Sequence, residues 1–135
     1  MAGKKYFMLI GLFLLLIGIA SCGIGKNNTT KIRDLEYTVL EEEEIPDELM
    51  TMIEEKKEGE FKLTYTYDGY IYIARGFGMQ ETGGYSIRMQ ELYLTENAIY
   101  FTAELLGPSK EEAIGAVSYP YIVIKTEAID RNVVF

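Results

Sequence analysis

Histidine and tryptophan are missing from this chain of 135 residues, and a single cysteine, Cys22, is present. The lack of histidine removes the usual general base near neutral pH and the commonest transition-metal ligand. One cysteine cannot close an internal disulfide, so a folded domain here must be held together by burial alone. Positive charge is also scarce. The 13 lysines and arginines stand against 21 aspartates and glutamates, a net charge of −8, and they form no basic stripe. That balance argues against an electrostatic grip on nucleic acid, which depends on clustered Lys and Arg. It argues equally against charge-driven binding to anionic lipid. Tyrosine, by contrast, is abundant, with 11 copies.

Lys4 and Lys5 precede an unbroken apolar run, Phe7 to Ala20, which ends at Ser21 and Cys22. A basic start, an apolar core and a small-residue boundary predict a secretory signal peptide over residues 1–21. Ile19-Ala20-Ser21-Cys22 resembles the bacterial lipobox, in which cleavage falls just before a cysteine bearing a diacylglyceryl group. The resemblance implies that Cys22 is lipidated and holds the chain on the extracytoplasmic face of the cell membrane. The alternative is an uncleaved anchor, because Tyr6 to Ile24 is almost long enough to span a hydrocarbon core of about 30 Å. Either way Lys4 and Lys5 stay inside and the remainder lies outside the cytoplasmic membrane. Removing residues 1–21 takes away two lysines and no acid, which moves the net charge from −8 to −10.

Residues 22–33, polar and containing Gly and Asn, predict a flexible tether, and residues 34–135 a single β-rich domain. Leu35 to Leu40 alternates as a short strand. Glu41 to Glu44 read as a solvated, acidic lead-in to a helix, the alternative being a cation site. Pro46 stands at a helix start, Asp47 and Glu48 suit its first turn, and Ile45, Leu49, Met52 and Ile53 give it one apolar face. The helix is predicted over 47–57, with Gly59 as its stop. From Glu60 the period becomes two. Asp68-Gly69 between Phe61–Tyr67 and Tyr70–Ala74 predicts a type I′ hairpin with Tyr65 opposite Tyr72 and Tyr67 opposite Tyr70. Cross-strand aromatic packing accounts for that tyrosine-rich face, with a binding surface as the other reading. Arg75 to Gly84 reads as a loop. Tyr85–Thr95, Ala98–Leu106, Tyr121–Thr126 and Ile129–Phe135 read as further strands. The fold class is therefore mainly β (α+β), an antiparallel sheet or small β-sandwich with one short helix.

Catalytic chemistry finds few supports. Cys22 is consumed by lipidation, so no cysteine nucleophile remains. Ser109-Lys110 are adjacent in an exposed loop, where nothing desolvates the lysine to lower its pKa. Acids are spread along the chain with no pair singled out for glycoside chemistry. Gly76-x-Gly78 is not followed by a helix and so is not a phosphate cradle. The sequence predicts a non-enzyme with no cofactor, no metal and no small-molecule substrate.

The stretch Tyr72-Ile73-Ala74-Arg75-Gly76-Phe77-Gly78-Met79-Gln80-Glu81-Thr82-Gly83-Gly84-Tyr85-Ser86-Ile87 is followed some thirty residues later by Tyr119-Pro120-Tyr121-Ile122-Val123-Ile124-Lys125. This arrangement resembles the C-terminal domain of the PrcB family of protease-complex subunits. The resemblance covers about Tyr70 to Lys125. It implies a non-catalytic, membrane-tethered lipoprotein that binds and stabilises an exported partner, a subtilisin-like surface protease. The partner-binding residues it singles out are Thr82, Gly83, Gly84, Tyr85, Tyr119, Pro120 and Tyr121. Gly83-Gly84 allows a sharp turn with open backbone groups, and Tyr85 offers a rigid amphipathic anchor. Pro120 holds Tyr119 extended, and an aromatic before proline tolerates the cis bond comparatively well. Together the two motifs predict a rigid aromatic patch beside an open loop, or corner pieces of a sheet. Thr82-Gly83-Gly84-Tyr85 is also similar to a loop of chagasin-like cysteine-protease inhibitors. Gln80-Glu81 replaces the asparagine-proline of that loop, and no arginine precedes Pro120. An inhibitor is thus the alternative function, followed by a structural envelope protein with no protease partner.

Overall fold

The computed structural model describes residues 30–113 and 115–135. The signal segment 1–21, Cys22 and the tether as far as residue 29 lie outside the described residues. The strands are β1 (Arg33–Asp34), β2 (Thr38–Val39), β3 (Glu60–Tyr67), β4 (Tyr70–Phe77), β5 (Ser86–Leu94), β6 (Ala98–Leu106), β7 (Tyr121–Glu127) and β8 (Asn132–Val134). They form two four-stranded sheets, ordered β1-β5-β6-β8 and β2-β7-β4-β3. Pairing is antiparallel except between β6 and β8, which run parallel. The one α-helix, α1, spans Asp47–Lys56.

Strand alternation places these elements in three layers. Ile71 and Ile73 of β4 and Ile122 and Ile124 of β7 point at the first sheet, where they meet Leu92, Ile99 and Phe101. The intervening residues Tyr72, Ala74 and Val123 point the other way, onto Ile45, Leu49 and Ile53 of the helix layer. β4 and β7 are therefore buried on both faces, as the run of buried residues from Ile71 to Ala74 records. The period of two continues through Arg75 and Gly76, which pair with both β3 and β7, and Phe77, which pairs with Glu60 of β3, so all three belong to the strand and not to the loop. Gly76 is opposite Phe61, whose ring lies across it. A Cβ there would stand 2.1 Å from the Phe61 Cε2.

Asp68 and Gly69 both take positive φ, 52° and 80°, as a type I′ turn requires, and the register puts Tyr65 opposite Tyr72 and Tyr67 opposite Tyr70. Tyr65 stacks on Tyr67 and tilts against Tyr72. Its hydroxyl donates to Glu48 Oε2 of α1 at 2.8 Å, tying the hairpin to the helix. Cross-strand packing of the tyrosines is thus present in the fold. Glu41 to Glu44 form a 3-10 turn, closed by a hydrogen bond from the Glu41 N–H to the Glu44 carboxylate at 2.9 Å. Residues 41–60 hold ten acids against Lys56 and Lys57, so this helix layer alone carries a charge equal to the net −8 of the chain.

The predicted strand Leu35–Leu40 is divided between the sheets. β1 pairs with β5, Leu35 is buried between the layers, and β2 pairs with β7. Two side-chain contacts hold this crossover. Thr126 donates to the Glu36 carbonyl at 2.7 Å, and Arg33 pairs with Glu127 at 2.7 Å. The fold also begins before residue 34, since the Ile32 N–H donates to the Leu94 carbonyl at 2.7 Å.

Ile73 and Leu49 occupy the two separate cores at zero exposure. Truncating each in turn, Ile73→Ala and Leu49→Ala, should lower stability by about 2–5 kcal/mol. Gly76→Ala should cost about 1–3 kcal/mol through the Phe61 ring. Gly59→Ala, with nothing within 4 Å of the new Cβ, should be close to neutral. Urea unfolding of the four variants checks the set.

Candidate functional site

The two sequence motifs meet at the end of the β4–β7 pair. β4 ends at Phe77, whose N–H donates to the Pro120 carbonyl at 3.0 Å. Gly78 then turns the chain with φ +78°. Beyond it, Gln80 and Ser118 exchange backbone hydrogen bonds of 2.8 and 3.0 Å, an isolated antiparallel bridge. The Ser118 hydroxyl donates to the Thr82 carbonyl at 2.7 Å. The segment before Tyr119 is therefore sewn to the segment before Gly83, and the join is made by backbone groups and one serine.

Gly84 has φ +86°, and a Cβ on it would lie 2.7 Å from the Glu112 carbonyl oxygen and 2.9 Å from the Pro108 Cβ. Both the conformation and the close approach of the 107–118 loop demand glycine at this position. In that loop the Ser109 hydroxyl accepts the Glu112 N–H at 3.3 Å, so Ser109 works as a turn cap beside Lys110. Tyr85 follows Gly84 and lies by Gly107, where a Cβ would sit 3.7 Å from its ring.

The other aromatic pair faces α1. The Tyr119–Pro120 bond is trans. The Lys57 ammonium lies 5.2 Å from the Tyr119 ring centre and also pairs with Glu54. Tyr121 tilts against Phe61 at 6.4 Å and directs its hydroxyl to the Met50 sulfur at 3.9 Å. Burial, followed by the carboxylates of Glu42 and Glu54, pushes the Tyr121 phenol above its ordinary value, with Lys57 opposing. Among the described residues no ring pair joins Tyr85 to Tyr119 or Tyr121. Thr82, Gly83, Tyr85, Tyr119, Pro120 and Tyr121 are half-buried and Gly84 is exposed. Cys22, the predicted lipidation site, lies outside the described residues.

The junction thus offers a fixed loop and two sets of tyrosines aimed along different directions. Among the described residues no group of acids is placed to hold a metal ion. A cleft of about 920 Å³ lies elsewhere, along the crossover between Tyr37, Tyr70 and Lys125, and none of the seven motif residues lines it.

Residues 71–127 match the family model described as PrcB C-terminal. The match starts at Ile71 in β4, ends with β7 at Glu127, and includes both motifs and the junction between them. β1 to β3, α1 and β8 lie outside it. No curated protein and no solved structure matches the chain. Within the matched residues, Gln80, Pro108, Glu112 and Ser118 also shape the site, although none of them is among the seven motif residues. Their partners are distant along the chain, and Ser118 to Thr82 spans 36 residues, so no local pattern marks them.

Two outcomes follow for the matched residues. Gly84→Ala should lower stability by about 1–3 kcal/mol, and Gly107→Ala, whose Cβ would make an ordinary contact, should not. The raised Tyr121 pKa works in the alkaline range. Below the usual tyrosine value of about 10 both folded and unfolded chains keep this proton, and the contribution is complete. As pH climbs through the higher folded value it is lost, so stability declines above about 10. Tyr121→Phe should flatten that decline in chemical unfolding and remove one late-ionising phenol from an ultraviolet titration.

Proposed function

We propose that this protein is a non-catalytic lipoprotein, anchored through Cys22, that binds and stabilises an exported partner, a subtilisin-like surface protease. The observation that carries the reading is the PrcB C-terminal match over residues 71–127, within which Gly84 and the Ser118–Thr82 hydrogen bond hold the motif loops in a fixed shape. A preformed loop loses little freedom on binding, which suits a subunit that grips a partner. Half-buried tyrosines on both sides of the loop supply rigid contact area at low entropic cost. The lipobox-like Ile19-Ala20-Ser21-Cys22 fits a partner on the outer face of the membrane.

The test is affinity capture of the tagged protein from solubilised envelope, beside Tyr85→Ala and Gly84→Val, with mass spectrometry of the proteins that co-elute. An exported protease should be captured by the parent, and several-fold less of it by Tyr85→Ala. That protease should also have a shorter half-life in cells lacking the protein, with undiminished turnover when the protein is added. A fall in turnover relieved by Tyr85→Ala would replace the stabiliser with the chagasin-like inhibitor. Identical capture by parent and folded variants would make the motif architectural.

A further inference from the structure

The β3 edge and the outer edge of β5 are both open, and they are built differently. β3 is an edge strand of eight residues. Its sandwich-facing side carries Lys62, opposite Arg75 of β4, and the Lys62 ammonium lies 5.9 Å from the Phe135 ring centre at the mouth of the core. A charge pointing inward on an edge strand opposes the addition of another strand.

The outer edge of β5 has no such guard. β1 occupies the lane beside it only at Arg33 and Asp34, opposite Leu94 and Tyr93, and the Leu35 N–H reaches the Leu92 carbonyl at 2.9 Å. The chain then leaves for the other sheet. From Ser86 to Glu91, among the described residues, no strand pairs with β5 on the side away from β6. Burial records the gap. Leu92, where the lane is filled, is 4% exposed, whereas Ile87 and Met89, packed against the same core, are only half-buried. The β-bulge between Met89 and Glu91 marks the inner end of the vacant stretch, and Gly84 and Tyr85 lead into its outer end.

We propose that the open edge of β5, Ser86–Glu91, receives an extended segment of the partner protein as an added strand in the lane that β1 leaves vacant. The occupant is a peptide with uncharged, apolar side chains at alternate positions. Its backbone pairs with the outward N–H and C=O groups of β5, and its inward side chains complete the cover over Ile87 and Met89. On the opposite face Arg88 is held by Glu104, which also accepts from Gln90, so the strand is offered in one conformation. The inference rests on the proposed function only for the identity of the partner.

The probe is a display library of short random peptides, selected on the purified full chain in detergent. Selected peptides should alternate apolar and polar residues. N-methylation should weaken binding by about tenfold or more at alternate positions and leave the others nearly unchanged, because only every second N–H faces β5. Met89→Lys, which installs the inward charge that β3 already has, should weaken binding by about tenfold or more, and Tyr67→Ala should leave it unaltered. Amide exchange over Ser86–Glu91 should slow in the complex. The N-methyl series leaves the protein untouched, so its result stands whether or not Met89→Lys folds. Several outcomes would overturn the proposal: no enrichment over an unrelated sandwich protein, losses without the period of two, or binding abolished by Tyr67→Ala. Self-association of the chain through β5 would also do so, by making a second copy the occupant. No protease enters this assay. Failure to capture one therefore counts against the proposed function alone, and failure of the peptides counts against the edge alone.

Discussion

The two-sided burial of β4 and β7 is the constraint on which the other elements depend. A strand with water on one face needs a single apolar partner, but these two present apolar side chains on both. Ile71, Ile73, Ile122 and Ile124 require a sheet on one side, and Tyr72, Ala74 and Val123 require the helix on the other. About a hundred residues without a disulfide thereby gain two cores from one pair of strands. The same pair sets the position of the motif junction, because Phe77 at the end of β4 and Pro120 at the head of β7 are hydrogen-bonded neighbours.

Charge and the family match divide the molecule along similar lines. The helix layer, residues 41–60, holds the acidic excess and lies outside the PrcB C-terminal match, while the matched residues 71–127 contain both central strands and the junction. Three cations of the chain are taken up by rings and carboxylates. Lys57 lies over Tyr119 and Lys125 over Tyr70, and Arg88 pairs with Glu104. The acids of residues 41–60 are exposed to water.

Much of this architecture could be read from local pattern. Asp68-Gly69 specified the hairpin because a type I′ turn needs two residues that accept positive φ, and that turn dictates the tyrosine register. Pro46, the first-turn acids and the apolar spacing located α1 to within a residue of its end. The errors arose where a residue's fate depends on a distant neighbour. Arg75 to Phe77 look like the start of a glycine-rich loop, yet pairing with β3 keeps all three in β4, and Gly76 is a seat for the Phe61 ring. Leu35 to Leu40 alternate as one strand, but the two ends bond to different sheets.

The β-rich class, the hairpin, the helix and the resemblance of Tyr70 to Lys125 to the PrcB domain are all written in turn residues, periodicity or short motifs. The shared junction of the two motifs, the different directions of Tyr85 and the Tyr119–Tyr121 pair, and the open edge of β5 emerge only once the sheets are assembled. Those features depend on which strands become neighbours. Strand neighbours are chosen by burial summed over the whole chain, a quantity that no short stretch of residues contains.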